Sequence, residues 1–355
     1  MKIAIIIGTR PEFVQCTQVV KELNKSHETI LIHTGQHYDY SMNKLFFNEL
    51  KIPEPDYHLE VGSGSHGQQT GDMLKKIETV LEDSKSNLVL VFGDTNSTLA
   101  GALAASKLHI KVGHIESGMR SFDRSMPEEI NRVITDHISN ILFCSTKSAM
   151  KNLKMEGIRK NIFFSGDVTV DTLENNKKLA EKRSTILHEY KLKSKEYLIA
   201  TIHRSSNTDN INNLKNIVKA FCDIEETLIF PVHPRTKGVL KKYNLWDILE
   251  EKKSIKLVEP LGYFDFLKLM NNAKKILTDS GGIQKEAYIL KVPCITIRDN
   301  TEWVETVEDG WNVLTGANRK KIVEHVQYFY PECIQKDVFG KNASNKIAQI
   351  INTID

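Results

Sequence analysis

Three groups of carboxylates stand where short apolar runs of this sequence end. Asp94 follows Val91-Phe92-Gly93, Glu116 follows His114-Ile115, and Glu128 and Glu129 follow Pro127 at the opening of a helical pattern. Carboxylates gathered at one site can divide the work of general acid and general base, because burial and like-charge proximity drive their pKa values apart. Each also has a purely structural alternative. Aspartate is a favoured helix N-cap, and acidic residues in a first helical turn are favoured by the helix dipole. Adjacent acidic strand tips are nevertheless costly to assemble without a use, and only one of Glu128 and Glu129 is expected to face the others.

A second set of residues suits an anion. His203-Arg204 and His233-Pro234-Arg235 close two later apolar runs, and both residue types donate to phosphate oxygens. Ser280-Gly281-Gly282 leads from the run Ile276-Leu277-Thr278 into a helical pattern, which exposes main-chain N–H groups to a diphosphate, with a plain serine N-cap as the alternative. Glu286 falls one turn further on, where it can accept from ribose hydroxyls. Arg298 and Trp303 follow another strand on the same side. Arg10, in Gly8-Thr9-Arg10-Pro11-Glu12, points from the first strand end, with loop capping as its alternative. That segment is not a GxGxxG fingerprint, so a nicotinamide or flavin cofactor is disfavoured.

Parallel strands covered by helices are what must position these residues. β-branched runs over 3–7, 29–33, 88–92, 112–115, 141–144 and 162–164 predict strands separated by helices. A lysine- and glutamate-rich helix is expected over 173–195, after which strands restart at 197–202, 228–232, 255–258, 276–278, 294–297 and 313–314. The expected architecture is α/β, with one doubly wound domain over 1–170, a second over 171–340, and a last helix in 341–355 packing back on the first. Two such domains in series make a cleft at the carboxyl ends of their strands, where ligands of these sheets bind.

The bulk numbers agree with two globular domains. The chain has 355 residues, 40% of them hydrophobic and 26% charged. The net charge of +3 comes from interspersed Lys, Arg, Asp and Glu, which gives no basic stripe for nucleic acid. The apolar opening run, 3–7, is far shorter than a membrane span of about 20 residues, so a cytoplasmic protein is expected. Five cysteines without a CxxC pair indicate neither a metal site nor a disulfide framework and are expected as small core residues.

The ordered segments GTRPE (8–12), HTGQHYD (33–39), GDTNSTLAGALAASKL (93–108), PEEINR (127–132), HPR (233–235) and LTDSGGIQKEA (277–287) resemble the non-hydrolysing UDP-N-acetylglucosamine 2-epimerase family over essentially the whole chain. The resemblance implies a GT-B-like fold of two Rossmann-type domains, a homodimer, and UDP held mainly by the second domain. It implies inversion of C2 by anti elimination of UDP to a 2-acetamidoglucal and re-addition, without metal or redox cofactor. Carried over residue by residue, Asp94, Glu116 and Glu128 are acid/base candidates and His203 assists at the diphosphate. Arg10, Ser280, Gly281, Gly282 and Glu286 match nucleotide-sugar contacts, with Phe266 near the uracil, and Gln15, His233, Arg235, Arg298 and Trp303 are further substrate-binding candidates.

Some positions depart from the common pattern. Many members have Lys at the place of Gln15, HRxEN where this chain reads His203-Arg204-Ser205-Ser206-Asn207, and TERPE where it reads Thr301-Glu302-Trp303-Val304-Glu305. Gly166-Asp167-Val168 and the Trp303 motif resemble instead the branch that epimerises UDP-2,3-diacetamido-2,3-dideoxyglucuronate. Both sugars therefore stand as candidate substrates. Gln36, His37 and Gln68 match an activating site of some bacterial members, although Gly67 replaces an arginine there. A hydrolysing epimerase, a GT-B glycosyltransferase and a nucleotide-sugar sensor are the competing functions on the same scaffold.

Overall fold

The structure, a computed structural model, describes residues 1–36 and 54–354, with the main chain alone at Arg10. The chain forms two compact units, Met1–Thr172 with Asp337–Asp355, and Leu173–Lys336.

The first unit is built on β1 (Lys2–Ile7), β2 (Glu28–His33), β3 (Tyr57–His58), β4 (Leu88–Phe92), β5 (Lys111–Ile115), β6 (Ile141–Cys144) and β7 (Ile162–Phe164). They form a sheet in the order β3-β2-β1-β4-β5-β6-β7, parallel at every pairing. Ile3, Ile5 and Ile7 on one face and Ala4 and Ile6 on the other are all within 1% of full burial, so β1 is covered on both faces. That is why its sequence is an unbroken apolar run. The order reverses between β1 and β4, and the carboxyl ends of strands beside such a reversal are where doubly wound sheets bind ligands.

The second unit repeats the plan with β8 (Tyr197–Thr201), β9 (Thr227–Pro231), β10 (Ile255–Val258), β11 (Lys275–Thr278), β12 (Cys294–Thr296) and β13 (Asn312–Leu314). Its order is β10-β9-β8-β11-β12-β13, again parallel throughout, with the reversal between β8 and β11. One face of this sheet packs Leu198, Ala200, Leu228, Phe230, Leu277 and Ile295 against the helix Ile211–Asp223. Both units are Rossmann-like, and the fold class is the GT-B-like pair of doubly wound parallel sheets.

The helix expected over 173–195 is two helices, Val168–Arg183 and Ile186–Glu189. The break is made by tertiary bonds: Ser184 Oγ donates to Asp265 at 2.5 Å, and Lys268 Nζ donates to the Ser184 carbonyl at 2.8 Å. The two-residue β3 was not expected. In the closing segment, the helix Ala343–Ile351 packs on the helix Arg10–Leu23 of the first unit. There the Ser344 N–H donates to Asp171 at 2.8 Å and Asn345 to Glu22 at 3.4 Å.

Of the cysteines expected in the core, Cys16, Cys144 and Cys294 are buried, but Cys222 is half-buried and Cys333 exposed; all five are free thiols. Among the described residues no helix is long and apolar enough to cross a membrane. Among the same residues no cluster of three His, Cys, Asp or Glu side chains could hold a metal ion.

Candidate active site

At the reversal in the first sheet, β1 is followed by Gly8 and β4 by Gly93-Asp94. A Cβ on Gly8 would lie 2.0 Å from Ser97 Oγ and 2.4 Å from Thr34 Oγ1, so only glycine lets these loops close on each other. Glu12 ties the two tips together. Its Oε2 accepts from the Gly8 and Thr9 N–H groups at 2.6 and 2.9 Å, and its Oε1 accepts from Thr95 Oγ1 at 2.7 Å. Thr95, not Asp94, is the N-cap of the helix Asn96–Lys107, accepting from the Thr98 N–H at 3.2 Å. Asp94 is thereby released from capping. Its carbonyl accepts from Asn131 Nδ2 at 2.9 Å and its carboxylate from Arg132 Nη2 at 2.5 Å, while a quarter of its side chain stays exposed.

Burial raises the Glu12 carboxyl from an ordinary 4.5 to about 7, against the lowering pull of Thr95, Gly8 and Thr9. The folded chain binds this proton more tightly than the unfolded one. The stability it contributes is fully present below pH 4.5 and lost as pH rises through about 7. Glu12 should therefore lower the unfolding free energy by about 3 kcal/mol between pH 4.5 and 8. Urea unfolding of wild type and Glu12→Gln across that range checks this, the variant being expected to show a flatter profile by that amount.

Glu116 terminates β5 with φ of +73°, a left-handed conformation that a non-glycine residue adopts at a cost. It is held there by β6, since the Glu116 and Ser117 N–H groups both donate to the Phe143 carbonyl at 3.1 Å. Gln15, one turn beyond Glu12 on the helix Arg10–Leu23, donates from Nε2 to Glu116 Oε2 at 2.9 Å. The sequence paired Gln15 with nucleotide-sugar contacts; the fold seats it on a candidate acid/base carboxylate.

The helix Pro127–Ile138 separates its two acidic residues. Glu129 is 1% exposed and accepts from the Ser121 and Phe122 N–H groups at 2.9 and 3.0 Å, and from Arg132 Nη1 at 2.9 Å. It is committed to the preceding loop. Glu128 is half-buried in the same turn. Arg132 joins Asp94 to Glu129 and was not singled out from the sequence, although it lies three residues after Glu129 and so on the same helix face.

In the second unit, Asp279 at the tip of β11 organises the β8 tip. Fully buried, it accepts from the His203 N–H at 3.1 Å, the Arg204 N–H at 3.0 Å and Asn207 Nδ2 at 3.1 Å. It too was passed over in the sequence, where only its position before Ser-Gly-Gly marks it. His203 and His233 come together, ring centres 6.0 Å apart. The Arg235 N–H donates to His233 Nδ1 at 3.3 Å, but its guanidinium turns away and binds both oxygens of Asp209 at 2.7 and 2.8 Å on the surface.

Ser280 occupies the N-cap of the helix Gly281–Ile289, yet its side chain makes no capping bond. The plain serine cap is not what the turn uses. A Cβ on Gly281 would meet Glu302 Oε1 at 2.0 Å and Trp303 Nε1 at 3.5 Å, so the 298–303 segment lies against this turn. Glu302 is fixed there by Arg298 at 2.9 Å, and Lys285 Nζ sits 4.6 Å above the buried Trp303 ring. Gly282 is exposed, and Glu286 and Phe266 are half-buried. Glu286 is near enough to Tyr263 to help burial push that phenol's pKa up.

The side chain of Arg10 and all of His37 lie outside the described residues. Of the activating set, Gln36 is engaged by Ser97, whose N–H and hydroxyl donate to its Oε1 at 2.9 and 2.7 Å. Gln68 is exposed, and the space beside Gly67 is open.

The sequence matches the family described as UDP-N-acetylglucosamine 2-epimerase over residues 21–352. It is 56% identical over 357 residues to a UDP-N-acetylglucosamine 2-epimerase homolog of Methanococcus maripaludis, covering 100% of both chains. It is 44% identical over 360 residues to the UDP-2,3-diacetamido-2,3-dideoxy-D-glucuronate 2-epimerase of Pseudomonas aeruginosa, covering 99% of each. The structure superposes with a TM-score of 0.94 on the UDP-GlcNAc 2-epimerase of Methanocaldococcus jannaschii, solved in complex with UDP-GlcNAc and UDP. That match is at 49% identity and covers 99% of this chain and 100% of the other. With carboxylates at neighbouring strand tips of one sheet and a glycine turn at the reversal of the other, the chain belongs to the non-hydrolysing UDP-N-acetylglucosamine 2-epimerase family of isomerases.

Proposed function

We propose that this enzyme interconverts UDP-N-acetylglucosamine and UDP-N-acetylmannosamine. The observation that carries the reading is the pair of acidic tips on neighbouring strands, Asp94 free of its capping role and Glu116 held at a left-handed φ. One carboxylate takes the C2 proton, the C2–H electron pair becomes the C1–C2 double bond, and the C1–O bond breaks with its electrons on UDP. Return of UDP to C1 with delivery of a proton to the opposite face of C2 completes the inversion. The sequence is redox neutral and uses carboxylates for proton transfer.

Asp94, Glu116 and Glu128 are assigned to acid/base work. Arg10, His203, His233 and the Ser280-Gly281-Gly282 turn are assigned to the diphosphate, whose departure needs cations and N–H donors. Glu286 is assigned to the ribose and Phe266 to the uracil. Support for the nucleotide half comes from the Ser280 side chain, which makes no capping bond, and from the relatives that carry UDP-sugar names.

Trp303, packed against the turn under Lys285, and the 44% identical Pseudomonas relative favour a second substrate, UDP-2,3-diacetamido-2,3-dideoxyglucuronate. Incubation of each UDP-sugar with the enzyme in heavy water, followed by NMR, tests both. Deuterium at C2 with the epimeric UDP-sugar is expected from UDP-N-acetylglucosamine; exchange confined to the diacetamido uronate would transfer the assignment to that sugar. Release of free N-acetylmannosamine, transfer to an acceptor without C2 exchange, or UDP binding with no exchange would instead identify a hydrolase, a glycosyltransferase or a sensor.

A further inference from the structure

Beneath the two acidic tips lies a buried ion network that neither the proton chemistry nor nucleotide binding uses. His114, on β5 two residues before Glu116, is fully buried. Its Nδ1 lies 2.7 Å from Asp136 Oδ1 and its Nε2 lies 2.8 Å from the Gly93 carbonyl oxygen. Asp136, on the helix Pro127–Ile138, also accepts from the Gly118 N–H at 3.0 Å and from Arg120 Nη1 at 2.7 Å. Arg120 in turn forks onto Glu156 at 2.7 and 2.8 Å and donates to the Met119 carbonyl at 2.7 Å.

Burial alone would raise the Asp136 carboxyl, but His114 and Arg120 outweigh it and hold the group below its usual range. Asp136 is therefore an anion that can only accept, and so is the Gly93 carbonyl an acceptor only. An acceptor thus faces each ring nitrogen of His114, the arrangement that a doubly protonated ring satisfies.

Gly93 is the residue this charge reaches. Its N–H donates to the Ile115 carbonyl at 3.0 Å, its own carbonyl faces His114 Nε2 at 2.8 Å, and its φ is +61°. β5 thus grips both sides of the peptide that precedes Asp94, and the same strand ends in Glu116. We propose that His114 is a positioning residue, which as an imidazolium locks the Gly93 carbonyl and so fixes Asp94 relative to Glu116. The inference rests on the acid/base reading of Asp94, and it assigns His114 no contact with substrate.

Two amide variants separate the ring's bonds. Glutamine can place an N–H where Nε2 stands, toward Gly93, whereas asparagine can place one only where Nδ1 stands, toward Asp136. In His114→Asn, kcat for C2 exchange should fall about 100-fold, the scale of an ~1 Å misplacement of a reacting group. His114→Gln should recover most of it, and KM and UDP affinity should stay near wild type in both. Equal kcat losses in the two variants, or a loss carried by KM, would overturn the proposal. A merely structural role would track folded fraction, followed by circular dichroism, and would not rank glutamine above asparagine in kcat.

A measurement on the unmodified enzyme stands if a variant fails to fold. With 15N-labelled histidine at pH 7.5, His114 should show both ring nitrogens protonated; a single-proton tautomer refutes the inference. Asp94→Asn keeps the two ideas apart, because wild-type exchange in that variant would sink the acid/base reading while leaving the ring's protonation as described.

Discussion

Asp94→Asn and Glu116→Gln are each expected to lower C2 exchange by about 10²–10⁴-fold, the usual contribution of a positioned acid or base, while UDP still binds. Both amides are nearly isosteric with what they replace. The asparagine oxygen can still accept from Arg132, and the glutamine oxygen can still accept from Gln15 Nε2, so each change removes a proton acceptor without opening the site. UDP affinity should hold because its proposed contacts lie mostly at His203, Ser280, Gly281 and Glu286. The check is deuterium incorporation at C2 beside calorimetric titration with UDP. Wild-type exchange in both variants would refute the catalytic assignment.

Asp136→Ala is expected to destabilise the first unit by about 3–5 kcal/mol. The aspartate is 1% exposed and pairs with the guanidinium of Arg120, 2% exposed, and with the ring of His114, 0% exposed. Removing it leaves the buried Arg120 with one counterion, Glu156, and His114 Nδ1 without its partner. The Gly118 N–H loses its acceptor as well. Urea unfolding at pH 7.5 measures the cost, and a loss below about 1 kcal/mol would show that His114 and Arg120 do not depend on Asp136. Any activity lost beyond the unfolded fraction would come through Gly93.

The strands were legible because both sheets are parallel and covered on two faces, which forces apolar β-branched residues at consecutive positions. β3 was not, since its two residues, Tyr57 and His58, are exposed and carry no such pattern. The lysine- and glutamate-rich stretch after 173 kept a helical appearance through a break made elsewhere in the chain, by Asp265 and Lys268 on Ser184. Local composition carries no trace of a bond to a residue 81 positions away.

The same division runs through the site. The sequence alone determined that carboxylates end β4 and β5, that a Ser-Gly-Gly turn opens a helix after β11, and which family has these motifs in this order. Those are properties of residue type and spacing along one element. Tertiary structure decided what each residue of those motifs is bonded to. Thr95 takes the cap that Asp94 could have filled, Glu129 is consumed by Ser121, Phe122 and Arg132, and Gln15 reaches Glu116 across 101 positions. Each is a competition among buried donors and acceptors from separate elements, and its outcome exists only once the sheet has set those elements side by side.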